Sequence, residues 1–158
     1  MGLVMAVICY SAQALDVIAA PDDPRLGYSN ASPEWLQAVG KLAVPGIKFQ
    51  QGQREQHIEN CSATLVAKPD SAMADIIITA WHCLEYYRDL SKPIVFTLLP
   101  TSSDPISSEA YMLSDGGHME ADWAILKLYR AVPSDRVASM SINPGRALQN
   151  GPIAMAGY

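Results

Sequence analysis

Residues 61–83 read CSATLVAKPDSAMADIIITAWHC and contain the clearest strand pattern of the chain. Two apolar runs, CSATLVA and DIIITA, flank the polar stretch KPDSAM, which is the pattern of a β-hairpin. Cys61 starts one arm, and Cys83 lies just beyond the end of the other. Because antiparallel pairing brings those two ends together, we expect the two cysteines to lie within reach of each other.

Short apolar runs separated by turn residues continue on both sides of this hairpin. The chain has 158 residues, of which 17% are charged, with 11 prolines and 10 glycines spread along it. Frequent turn residues between short apolar runs favour an all-β barrel or sandwich over a helical bundle. A turn is expected at Pro45 and Gly46, between the first two runs. The runs are AVGKLAV, IKF, CSATLVA, DIIITA, PIVFTLL, EAYML and DWAILKLY.

The charge and the N-terminus limit the possible functions. A formal net charge of −5 argues against the basic surface that nucleic-acid binding needs, so no nucleic-acid partner is expected. Residues 1–14 carry no charge and are too few to span a membrane. They match the apolar core of a signal peptide, with Ala12-Gln13-Ala14 as the cleavage site, and predict a secreted or periplasmic protein. A buried N-terminal strand or helix is the alternative.

Removal of the signal peptide takes Cys9 with it and leaves Cys61 and Cys83. An isolated pair of cysteines in an exported protein most simply forms one disulfide. The competing hypothesis is a metal site made by these cysteines and His82. No C-x-x-C motif and no second histidine lies at ligand spacing, so neither a metal nor a cofactor is predicted.

Two motifs resemble the chymotrypsin-like serine proteases. The stretch CSATLVA…IIITAWHC is similar to the family segment in which a C-S-G-T-L-I strand leads to T-A-A-H-C. The stretch ADWAILKL, residues 121–128, is similar to the D-I-A-L-L-K-L strand that carries the catalytic aspartate. The resemblance implies the six-stranded antiparallel first barrel of a two-barrel fold, with the second barrel only begun. It also implies a protein or peptide substrate.

The same resemblance assigns roles to two residues. His82 is the general base and Asp122, 40 residues further on, is its orienting partner. An imidazole that is neutral near pH 7 can accept a proton from a serine hydroxyl and pass it to the leaving amine, while a carboxylate holds its tautomer. A disulfide between Cys61 and Cys83 would fix the turn that carries His82. Trp81 departs from the family pattern, which has a small alanine there.

The family's G-D-S-G-G-P segment, which carries the nucleophile, is not in this sequence. The resemblance therefore implies a truncated serine endopeptidase that is inactive alone, with the missing second barrel as its intramolecular partner. A non-catalytic, protease-like binding module is the alternative function. The predicted organisation is a signal peptide at 1–14, a propeptide or arm at 15–37, the first barrel at 38–130, an inter-barrel linker at 131–150, and the first strand of the second barrel at 151–158.

Three other aromatic or titratable residues receive structural interpretations. His57 lies in the polar run QQGQREQHIEN and is expected in an exposed loop or at a sheet edge. His118 lies in DGGHMEAD without the partners of a zinc site. Trp123, beside Asp122, is expected in the core.

Overall fold

The structure, a computed structural model, describes residues 27–29, 31–141 and 155–158. Contacts between residues divide the chain into two units, Met1–Ala31 and Ser32–Tyr158, and every described strand belongs to the second. The predicted signal peptide and most of the predicted arm lie outside the described residues. The described part contains no helix long and apolar enough to cross a membrane.

The described residues form seven strands and two short 3₁₀ helices. The strands are β1 (Val39–Gln50), β2 (Gln53–Ala67), β3 (Met73–Thr79), β4 (Ile94–Leu98), β5 (Ile106–Asp115), β6 (Ala124–Pro133) and β7 (Met140–Ser141); the 3₁₀ helices are Glu34–Ala38 and Trp81–Leu84.

Six of the strands close into an antiparallel barrel. The order is β1-β4-β5-β6-β3-β2, and β2 pairs again with β1. Because β4 lies beside β1 after the consecutive strands β1, β2 and β3, the connection is a Greek key. The short β7 adds to β2 in parallel, with Val66 opposite Met140. The predicted all-β class and the six-stranded antiparallel barrel are confirmed.

Alternate residues of the six strands fill the barrel interior, as the two-residue period of a strand requires. The predicted hairpin is confirmed, with Thr64 of β2 opposite Ile78 of β3. The last barrel strand, β6, extends to Pro133, three residues into the stretch predicted as a linker, and Val137 is also buried. The largest fully buried side chains are Phe96, Leu42, Leu65, Ile77, Ile94, Leu98, Leu126, Val44 and Val137.

The turn predicted at Pro45 and Gly46 is wrong, because both residues lie inside the continuous strand β1. The chain reverses instead at Gln51 and Gly52, whose φ angles of 50° and 79° are those of a two-residue hairpin turn. Gln50 and Gln53 close this turn as opposite residues.

The position of Pro45 explains why β1 tolerates a proline. Successive backbone N–H groups of a strand point to opposite sides, so the nitrogen of Pro45 points the same way as that of Ile47. The Ile47 N–H donates to the carbonyl oxygen of Tyr86 at 2.9 Å and therefore points away from β2. The pairing of β1 with β4 covers only Gly40–Ala43, so no strand hydrogen bond is lost at Pro45.

We predict that Gly40→Ala destabilises the barrel by about 1–3 kcal/mol. A Cβ atom at this position would lie 2.5 Å from Cε2 of Phe96 and 2.7 Å from the carbonyl oxygen of Thr97, and the latter is backbone that cannot rotate away. Urea unfolding measures the change. Gly27→Ala is the matched control, because a Cβ there meets nothing within 4 Å. Equal stability of the two variants would contradict the prediction.

Candidate active site

The ends of β3 and β6 bring His82 and Asp122 together. These strands are antiparallel neighbours, and their last common pair is Thr79 with Ala124. Just beyond Thr79, the chain turns into the 3₁₀ helix Trp81–Leu84, which carries His82. Asp122 lies two residues before Ala124, which is the first residue of the adjacent strand β6. Residues 40 positions apart in sequence thus meet at one rim of the barrel.

Two hydrogen bonds join the pair. Nδ1 of the His82 ring lies 2.8 Å from Oδ2 of Asp122, and the backbone N–H of His82 donates to Oδ1 at 2.9 Å. The side chain of His82 is 49% exposed and that of Asp122 is 27% exposed. Because both carboxylate oxygens are engaged by the same residue, the orientation of the carboxylate relative to the ring is fixed.

These contacts also favour the ionised form of Asp122 and set which nitrogen of the His82 ring faces it. The backbone N–H of His82, and then its ring, hold the pKa of Asp122 below its ordinary value, so this carboxylate is ionised at neutral pH. An ionised carboxylate only accepts hydrogen bonds, so Nδ1 carries the hydrogen. In the neutral ring Nε2 then has a free lone pair, which is the form a general base needs.

A disulfide and a hydroxyl hold the segment that carries His82. Cys83 is bonded to Cys61 on β2, with a Cα–Cα distance of 6.2 Å. The Thr79 hydroxyl donates to the carbonyl oxygen of Ser62 at 2.8 Å. Two adjacent residues of β2 are therefore tied to the two sides of His82, and the turn is restrained from both directions.

The hypothesis of a metal site does not fit this disulfide. One potential ligand atom each from Cys61, His82 and Cys83 lies within 4.8 Å of the others. The two sulfurs are bonded to each other, however, and a metal is bound by thiolates. In the disulfide form this cluster offers only one nitrogen donor.

The remaining sequence interpretations have mixed outcomes. His57 lies on β2 in the stretch that pairs with β1 alone among the described residues, so the expectation of a sheet edge is confirmed, and its side chain is half-buried, 22% exposed. His118 makes an isolated bridge with Ala121, and its side chain is 59% exposed. Trp123 is 43% exposed, so the prediction that it lies in the core is wrong. It precedes the first buried residue of β6, at the rim and not between the strands.

Ser62 is a residue of this region that sequence reasoning missed. Its hydroxyl accepts a hydrogen bond from the backbone N–H of Tyr158 at 2.7 Å, across 96 positions of sequence. A Cβ on Gly157 would lie 3.0 Å from the same hydroxyl oxygen. Residues 155–158, part of the predicted first strand of a second barrel, are in no strand here. No local pattern signals such a long-range contact.

The fold and the site define a closed antiparallel barrel that carries an aspartate-oriented histidine at its rim. No family model matches the chain, and no curated protein matches it. The assignment of a function therefore depends on the geometry of the site and on the two sequence motifs.

We predict that the Asp122 carboxyl titrates below its ordinary pKa of 3.8 and that His82→Ala raises that pKa only in part. The substitution removes the ring but keeps the backbone N–H, which is the larger cause of the lowered pKa. Carbon-13 NMR of the Asp122 carboxyl measures both values, and Asp122→Asn identifies the signal. A wild-type pKa at or above 3.8 would refute the assignment.

The same lowered pKa predicts the direction of a pH effect on stability. The charged carboxylate is favoured in the folded state, so its contribution is present above the unfolded-state pKa and is lost as the pH falls through the folded-state pKa. The wild type should therefore lose more stability than Asp122→Asn on acidification below about pH 4. Parallel slopes of unfolding free energy against pH in this range would contradict the linkage.

We predict that the double substitution of Cys61 and Cys83 by alanine lowers the free energy of unfolding by about 3 kcal/mol, since the cross-link closes a loop of 22 positions. Denaturant unfolding at neutral pH measures it. The wild type under reducing conditions is the control, because it loses the bond but keeps both side chains. A loss confined to the double variant would assign the effect to packing.

Proposed function

We propose that this chain is the first-barrel part of a chymotrypsin-like serine endopeptidase. The observation that carries the proposal is the double hydrogen bond between His82 and Asp122 at the rim of a closed six-stranded barrel. It supports the roles that the sequence motifs imply. A binding module has no chemical need for an exposed imidazole whose tautomer is held by an ionised carboxylate.

In the proposed reaction Nε2 of His82 takes the proton of a serine hydroxyl as its oxygen attacks the carbonyl carbon of a peptide bond. The tetrahedral intermediate collapses, and the proton passes from Nε2 to the nitrogen of the leaving amine. Water, deprotonated by the same Nε2, then hydrolyses the acyl-enzyme and regenerates the serine. Throughout, Asp122 accepts the Nδ1 hydrogen and stabilises the imidazolium.

The serine of this proposal comes from a segment outside the described residues. Among the described residues, no hydroxyl group donates a hydrogen bond to the His82 ring. The side chain that contacts this ring there is that of Asp122. A general base without its nucleophile and oxyanion donors retains little activity. We therefore propose that the 158-residue chain alone does not cleave peptides, and that a second barrel supplies the missing groups.

The disulfide bears on where the protein acts. Such bonds persist in oxidising compartments and are rare in the reducing cytosol. The Cys61–Cys83 bond is consistent with the exported location predicted from residues 1–14. We propose a secreted or periplasmic endopeptidase.

The decisive experiment has two stages. The coding sequence beyond Tyr158 is read for an in-frame G-D-S-G-G-P segment, and the longer chain is then treated with a fluorophosphonate probe that labels activated serines. We expect labelling of the longer chain, none of the 158-residue chain, and loss of labelling in His82→Ala. Asp122→Asn should reduce kcat by about 10⁴-fold, because the tautomer is no longer held.

Two controls make the outcome specific. His118→Ala removes a histidine whose ring lies beside Glu120, 3.4 Å from Nδ1 to Oε2, and it should keep full labelling. Mutation of the serine in the new segment should abolish labelling. Persistent labelling of His82→Ala would exclude His82 as the base, and a coding sequence that stops without such a segment would favour the binding module.

A further inference from the structure

A pocket of about 230 Å³ lies on the β1–β2 hairpin, beside the loop that follows His82. The hairpin contributes residues from both of its strands, and the loop contributes two charged residues. Lys92 donates from its ammonium to Oε1 of Gln56 at 2.7 Å, which joins the loop to β2 across the pocket. The residues that matter below are Pro45, Ile47 and Ile58 on the apolar side and Gln56, Asp89 and Lys92 on the polar side.

The outer edge of β2 beside this pocket has no strand partner in the described part of the chain. β2 pairs with β3 only over Thr64–Val66, so residues Gln53 to Asn60 pair with β1 on one side alone. Gln50 and Gln53 form the hydrogen-bonded pair that closes the turn. By alternation, the backbone N–H groups of Arg54, Gln56 and Ile58 point away from β1.

The opposite edge of the hairpin differs, since a neighbouring loop occupies it. The Ile47 N–H donates to the Tyr86 carbonyl, and this loop includes the 3₁₀ helix that carries His82. The open edge of β2 is thus the part of the hairpin available for backbone pairing. The hydrogen bond from Lys92 to Gln56 connects this edge to the loop that follows His82.

The charges on this face favour an acidic partner although the whole chain is acidic. Hydrogen bonds from Ser91, with the nearby cations Lys92 and Arg54, hold the pKa of Asp89 below its ordinary value. Arg54 lies two residues before Gln56 and thus on the same face of β2, and Lys92 lines the pocket, so two cations accompany one carboxylate there. The carboxylate of Glu59 would offset these positive charges, but it lies on the opposite face of β2. It is paired there with the ammonium of Lys48 at 3.2 Å.

We propose that this edge and pocket form an accessory site that binds an extended, acidic segment of a polypeptide substrate, with one apolar side chain of that segment in the pocket. The proposal rests on the endopeptidase function proposed above and names a second place at which the same substrate is held. Strand addition supplies backbone hydrogen bonds to the open edge, and the pocket selects the side chain. Ile58, 61% exposed, provides apolar surface that such a side chain buries.

Binding of fluorescein-labelled casein, an unfolded acidic polypeptide, to the 158-residue chain tests the proposal by fluorescence anisotropy. Gln56→Pro removes an outward N–H without touching the pairing with β1, and Ile58→Asp places a carboxylate in the apolar part of the pocket. Each should weaken binding about tenfold, the effect of losing roughly one hydrogen bond or one buried apolar contact. Casein whose carboxylates are blocked as amides should bind more weakly to the wild type.

Matched variants separate the edge and the pocket from general damage. Gln56→Ala loses the same side chain but keeps the N–H, so it should bind casein more tightly than Gln56→Pro. Leu113→Asp places a carboxylate on β5, at a side chain that is 50% exposed and does not line the pocket, and it should bind casein within about twofold of the wild type. Should Gln56→Pro fail to fold, slowed amide exchange of residues 53–60 in the wild type with bound casein gives the same answer.

Undiminished binding by Ile58→Asp and Gln56→Pro, absence of protection at 53–60, or no casein binding at all would each overturn the accessory site. None of these measurements needs catalysis. Failure of the fluorophosphonate test with intact, edge-dependent casein binding would therefore reject the endopeptidase and keep the binding site. Serine labelling by fluorophosphonate without edge-dependent casein binding would reject the accessory site and keep the endopeptidase.

Discussion

Closure of the barrel at β1 is the constraint on which the rest of the structure depends. Over Gly40–Ala43, this strand is paired with β2 on one side and with β4 on the other. Closure requires close approach there, and Gly40 provides it, because the Phe96 ring occupies the space of a Cβ atom. Once the sheet is closed in this order, β3 and β6 are neighbours, although β4 and β5 separate them in sequence.

The contact between His82 and Asp122 is a consequence of that neighbourhood. Neither His82 nor Asp122 is buried deeply enough for packing to orient it, so hydrogen bonds and covalent ties do so. The carboxylate uses both oxygens on one residue, and the 3₁₀ helix that carries His82 is bonded to β2 through the disulfide. Groups tied to strand ends in this way are restrained as the proposed catalysis would require.

The sequence was sufficient for the hairpin and the barrel class, because strand periodicity is a local signal. The two motifs also singled out His82 and Asp122, which the structure brings into contact, while their catalytic roles stay a proposal. It was misleading at Pro45 and Gly46, which read as a turn. A strand accepts this proline because the missing N–H would point away from β2, and pairing on that side has already ended. Trp123 was misjudged because large apolar rings are usually buried, whereas this position falls at the barrel rim. Orientation relative to a rim is a property of the closed fold and not of any window of sequence.

The continuation of β1 beyond Ala43 shows how one strand serves two purposes. Up to that residue it is part of the barrel wall, paired on both sides; beyond it, the strand and β2 form a two-stranded ribbon. A ribbon exposes edges, and unprotected edges invite pairing with other chains. Here the β1 edge is occupied by the loop that follows His82, through the Tyr86 carbonyl, whereas no described strand pairs with the β2 edge over Gln53–Asn60. A polypeptide added to that edge would lie on the hairpin that the Ile47–Tyr86 hydrogen bond joins to the loop after His82. For the proposed endopeptidase, the ribbon thus supplies a geometric reason why a substrate segment bound at the β2 edge would lie near His82.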